Sequence, residues 1–332
     1  MVDRSALLKA KLRGLVVAHV GPGDRQETDF PAGAALLDGA TAWVLVDESP
    51  LRAFGSALVW AERHGAAEVN LVVEQDAPVL ARRAGCFTDA PGVWTVDGTA
   101  LRSVAPAPSA PVADAPSAPD LAELLVDADL EVLIEDGIVR GEILGLEVAR
   151  IVHGTSTAGT PLDGPLLEVG VGHADREMTS VIHAGLAPVD QLARVGEIVR
   201  AHRRAGAERH PLNQLAPERW LRALLVADPS RIDLEALRPA DPAVARPNLR
   251  DRAVAMGLGS DSGGEVVVAC SVGVDLDLVP AAADARLSLA PEARLVLVVP
   301  ERDDHRVTRS LAARLVRPAQ VVTVPDDWAA TL

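Results

Sequence analysis

Tyrosine is absent from the 332 residues, lysine occurs only at Lys9 and Lys11, and there are three phenylalanines and two cysteines. Each shortage removes a class of chemistry. With no lysine beyond residue 11, most of the chain has no P-loop cation, Schiff-base amine or Ser/Lys-type base. Cys86 and Cys270 lie far apart and form no CxxC, so neither a disulfide framework nor a zinc knuckle is expected, and both read as core thiols. No apolar run reaches the roughly 20 residues that span a bilayer, and the opening MVDRSALLKAKLRG reads as too polar for a signal peptide. The expectation is a soluble, cytoplasmic protein without a membrane partner. Gly21-Pro22-Gly23 lacks the GxGxxG spacing of a dinucleotide loop, so no nucleotide cofactor is indicated. GxSxG and HExxH are also missing.

The chain does carry 48% hydrophobic residues, ample for real cores, at a length that suits two or three domains. It is an acidic protein. A net charge of −15 argues against broad electrostatic capture of nucleic acid. One local exception is residues 194–222, where seven arginines face three glutamates. Arg200, Arg203, Arg204 and Arg219 are its candidates for holding a nucleic-acid backbone, with Trp220 beside them. The alternative is a solvated helix face.

Periodicity and punctuation predict an α/β protein in which two βαβαβ pseudo-repeat blocks flank a central hairpin-and-helix domain of αβββα type. Residues 1–104 form the first block, with strands expected at 14–20, 41–46, 68–74 and 93–96 and helices at 51–64 and 77–84. Residues 105–120, rich in Ala, Pro and Ser, read as an exposed linker. The central domain spans 121–227 and a connection 228–264. The last block, 265–332, repeats the outline of the first, down to QVVTVPD against GVWTVDG, and suggests an internal repeat.

The stretch Leu130 to Glu177 holds the best candidate site. Leu130–Ile134 and Ile138–Val152 alternate in type across Glu135-Asp136-Gly137, a hairpin signal. In the second strand Glu147 is the only charge on its face. A third strand, 166–171, presents Glu168 within the same Leu-Glu-Val tripeptide. His173 and Asp175 follow at a helix start, where Asp175 suits an N-cap. Glu147, Glu168 and Asp175 are the candidate ligands for a divalent cation, magnesium or manganese, with His173 as proton carrier. Structural ion pairs with Arg150 and Arg176 are the competing reading.

The order helix 120–126, hairpin 130–152, strand 166–171, helix 188–204 resembles the αβββα core of the PD-(D/E)xK nucleases. In that family an acid on one strand and a Glu-x-Lys on the next hold magnesium and activate water. The resemblance puts Glu147 at the acid position, Glu168 at the glutamate of Glu-x-Lys and Glu123 as accessory acid; Gly170 stands where the family has lysine. It implies a metal-dependent phosphodiesterase acting on nucleic acid, or a degenerate form of one. Two other readings stand beside it. In one the protein is a non-catalytic module that binds a partner protein or its own copy. In the other it is a small-molecule α/β enzyme using the strand-end acids Asp47 and Asp275.

Overall fold

The computed structural model describes residues 3–331 apart from 110, 112, 183, 184, 209 and 247. Two residues of the expected linker, 110 and 112, and Arg209 of the basic segment therefore lie outside the described residues. The protein is α/β, and the chain divides into two compact units. Residues 1–110, 276–287 and 305–320 form the first; residues 111–275, 288–304 and 321–332 form the second.

The first unit opens with helix α1 (Arg4–Val20), where the Asp3 carboxylate accepts the Ser5 N–H and caps the first turn. A strand was expected over 14–20. The structure continues α1 there, because Leu8, Leu12, Leu15 and Val16 recur at helical spacing and pack together against sheet residues such as Leu36, Trp43 and Leu45. Strands β1 (Gln26–Phe30), β2 (Gly33–Asp38) and β3 (Thr41–Val46) make an antiparallel meander. Helix α2 (Pro50–Arg63) leads to β4 (Glu68–Val73) and helix α3 (Ala77–Ala84) to β5 (Gly92–Asp97), both added parallel, before β6 (Ala100–Ser103) closes the edge. The unbroken buried runs Ala42–Val46 and Leu71–Val73 are what parallel strands covered on both faces require. Asp284, fully enclosed, holds Arg82 and Arg83 of this unit at 2.6 and 3.0 Å.

The second unit begins with α4 (Pro119–Asp127) and strands β7 (Glu131–Glu135), β8 (Ile138–Ile143), β9 (Leu146–Val152) and β10 (Leu166–Val169), paired antiparallel in the order β10-β9-β8-β7. Asp136 and Gly137, both at positive φ, make the first turn, as the Asp-Gly signal predicts. The single long strand expected over 138–152 is instead two antiparallel strands joined by a two-residue hairpin turn at Leu144-Gly145, with φ of 45° and 71°. Four strands therefore stand where an αβββα pattern has three. Helices α5 (Gly172–Ile182), α6 (Pro188–His202) and α7 (Pro217–Ala227) follow.

Segment 228–264, expected to be a connection, contains β11 (Ala236–Ala240) and β12 (Ala255–Asp261). Their glycines misled the pattern: a Cβ on Gly259 would sit 2.4 Å from the Ala236 carbonyl oxygen, so glycine is what lets β11 lie this close. Pro239 is tolerated because β11 is an edge strand. The chain ends with β13 (Gly264–Cys270), α8 (Leu278–Leu289), β14 (Arg294–Pro300), α9 (Arg306–Ala313), β15 (Gln320–Val324) and α10 (Trp328–Thr331). Most of α8 and all of α9 belong to the first unit. The five-stranded sheet runs in the order β11-β12-β13-β14-β15. Cys86 and Cys270 are buried, and that burial pushes their thiols up to about 11 and 12, so both stay protonated and inert. No helix among the described residues is long and apolar enough to cross a membrane.

Candidate functional site

Strand register decides which charges meet in the central sheet. Glu168 on β10 stands opposite Arg150 on β9, and Arg150 stands opposite Arg140 on β8. Arg150 Nε accordingly donates to Glu168 Oε2 at 3.0 Å, a cross-strand pair of opposite charges. The Thr157 hydroxyl and backbone N–H donate to the same carboxylate. Glu147 is gripped from two sides, by Arg140 and by Arg176 Nη1 at 2.9 Å. Arg176 Nε also lies 3.9 Å from Glu168 Oε2, so a guanidinium stands between the two glutamates that were expected to share a cation.

Glu147 and Glu168 are thus brought to one place, but as acceptors for arginine. A magnesium or manganese ion does not fit there, because guanidinium and hydroxyl donors already occupy the carboxylate oxygens and further cationic charge is close by. Among the described residues no group of three His, Cys, Asp or Glu side chains is placed to hold a metal. Asp175 lies within the first turn of α5, and its carboxylate accepts the Val171 N–H at 2.7 Å. His173 is exposed, with Nδ1 3.5 Å from Glu177.

The arginines expected to hold a phosphodiester backbone are mostly spent inside the protein. Arg203 is buried and donates to the carbonyls of Leu144, Leu212, Leu215 and Ala216 at 2.7 to 3.1 Å. Burial pushes its guanidinium down to about 10. Its side chain also covers the buried Trp220 ring at 4.8 Å, which leaves that indole closed to a stacking base. Arg200 donates to the carbonyls of Ala128 and Asp129. Arg219 is buried against Glu135 and Glu142, and Arg222 reaches Glu142 at 3.1 Å. Only Arg204 of the four is exposed. The strand-end acids Asp47 and Glu48 are ion-paired to Arg4 at 2.5 and 2.7 Å.

What this arrangement makes is a cavity of about 490 Å³ walled by Arg140, Arg150, Arg176, Arg219, Arg246 and Arg250 against two glutamates, Glu135 and Glu147. Gly172, His173 and Ala174, the N-terminus of α5, complete it and add the positive end of a helix dipole. Among the described residues the buried Nε–H groups of Arg140, Arg176 and Arg246 make no hydrogen bond, while each of these guanidiniums is ion-paired through another nitrogen, Arg140 and Arg176 with Glu147 and Arg246 with Glu218. Arg246 and Arg250 come from the segment expected to be featureless, and nothing in its composition marked them.

Burial raises Glu135 of the cavity wall above the ordinary glutamate range, whereas Glu142 and Glu168 behind it are shifted the other way. Burial alone would raise Glu142, yet Arg219, Arg222 and Arg140 hold it below the ordinary glutamate range. Burial likewise opposes the Glu168 charge, and hydrogen bonds from Thr157 and Arg150 overcome it. A lowered folded value means that Glu168 binds a proton more weakly folded than unfolded, so its stabilisation is complete above the ordinary value of roughly 4.3 and is lost as pH falls through the folded value. The stability gap between wild type and Glu168→Gln, followed by urea unfolding, is therefore expected to be full near neutrality and to close in acid. A gap independent of pH would contradict this pairing.

No family model, curated protein sequence or solved structure matches the chain.

Proposed function

We propose that the second unit is a non-catalytic binding module for a small oxyanion, held in the arginine-lined cavity between β8, β9, α5 and the segment around Arg246. The observation that carries this reading is the convergence of Arg140, Arg150, Arg176, Arg219, Arg246 and Arg250 with the N-terminus of α5 on one cavity. An oxyanion with several acceptor atoms gains charge-assisted hydrogen bonds from guanidinium and backbone N–H groups gathered in this way. The phosphodiesterase reading has less support, since Glu147 and Glu168 both lie behind guanidinium groups. The free, buried thiols suit a reducing cytoplasm. The common strand order of β1 to β5 and β11 to β15 supports one repeated unit as the origin of the flanking blocks.

Calorimetric titration of inorganic phosphate into the whole chain tests the reading. Saturable binding is expected without added metal. Arg250 is exposed, so Arg250→Ala removes a wall charge without disturbing the core. It should weaken binding about ten-fold, and Arg176→Gln about ten- to hundred-fold, the range for hydrogen bonds to a charged group. Saturable magnesium binding that disappears in a Glu147→Gln/Glu168→Gln variant, with no phosphate binding, would instead favour the hydrolase.

A further inference from the structure

Beside the arginine cavity lies a second, of about 390 Å³, whose apolar wall is Val171, Val195, Ile198, Val199, Leu212 and Leu215. Val171 and Leu215 line both cavities, so the guanidinium wall and the aliphatic one are adjacent. Helix α6 supplies Val195, Ile198 and Val199 at the spacing that puts them on one face. Ile198 remains 51% exposed and Val189, on the same helix, 55%. Asp175 and Arg194 are the charges on this wall. Water gains little from such a surface, whereas an alkyl chain gains about 0.8 kcal/mol for each methylene it buries there.

Accepting the oxyanion reading above, we propose that the ligand is a free single-chain amphiphile, a phosphate monoester whose head sits among the arginines and whose alkyl tail lies along α6 in the second cavity. Each cavity falls in the size range of small-molecule sites, and their contiguity fixes the order of polar head and apolar tail. A phosphate matches the head site better than a monoanionic carboxylate does. The six wall guanidiniums meet Glu135 and Glu147 on the wall and Glu142, Glu168 and Glu218 behind it, and the backbone N–H groups at the start of α5 add further donors.

The test is a calorimetric series of methyl, butyl and octyl phosphate, below any micellar concentration, with the whole chain. Affinity is expected to rise about four-fold per methylene, which is the transfer value above converted at 1.4 kcal/mol per decade, until the tail outgrows the cavity. Ile198→Ser, at a half-exposed position and without an added charge to repel the head group, should flatten the rise of affinity with tail length. Equal affinity for methyl and octyl phosphate would overturn the amphiphile and leave the oxyanion module standing. If even methyl and inorganic phosphate fail to bind, the oxyanion reading falls with it. Sedimentation with vesicles of phosphatidic acid in phosphatidylcholine, without binding of octyl phosphate, would overturn the free amphiphile in favour of a bilayer surface.

Discussion

Arg219→Ala is expected to lower the unfolding free energy by about 3–5 kcal/mol, the range for removing one partner of a buried ion pair. Arg219 is one guanidinium serving two carboxylates, donating to Glu142 at 2.6 Å and to Glu135, and all three side chains are at least 95% enclosed. Alanine would leave Glu135 with Arg222 3.9 Å away and Glu142 with Arg222 alone. The cost comes from stranded negative charge rather than from lost packing. Adding Glu142→Gln to Arg219→Ala should therefore recover part of the loss, and urea melts of the two single variants and the double one measure it. Simple addition of the two losses would show that these residues do not act as one network.

Gly145→Ala is expected to cost about 2–4 kcal/mol, combining strain at positive φ with overpacking. Gly145 has φ of 71°, and a Cβ there would lie 2.3 Å from the backbone carbon and oxygen of Arg219. Backbone atoms at the start of α7 cannot swing aside as a side-chain end would. The strand turn and α7 would have to separate, and that shift would also draw Arg219 away from Glu135 and Glu142. The variant should thus lose phosphate affinity together with stability. Full phosphate affinity in a destabilised Gly145→Ala would show that the turn does not position the cavity wall.

At Leu144-Gly145 local pattern and tertiary structure part. Strand-forming residues run through Ile138–Val152, and a leucine at φ of 45° carries no turn signal of its own, which leaves Gly145 as the local mark of the turn. Gly145 closes this hairpin turn and also packs on α7, a contact made 74 residues later in the chain that local pattern does not reveal. Asp136-Gly137 was legible because its positive φ values follow from the residues themselves. Helix α1 went unread for a different reason. Its second half, Gly14 to Val20, is apolar and β-branched enough to pass for a strand, and only its stripe against the sheet settles the helix.

By itself, the sequence determined the α/β class, the apolar runs that became central strands, the inert thiols and the convergence of Glu147 and Glu168 on neighbouring strands. These follow from residue type and spacing over fewer than about ten positions, the scale on which propensity and periodicity act. Tertiary structure alone decided what those glutamates do. A carboxylate on a strand serves a metal ion or an arginine according to which cation reaches it. Here the reaching side chains include Arg176, 29 residues from Glu147, and Arg219, 77 residues from Glu142. Packing placed the arginines of α5, α7 and the Arg246 segment around one cavity, so that the candidate cation ligands became partners of guanidinium groups.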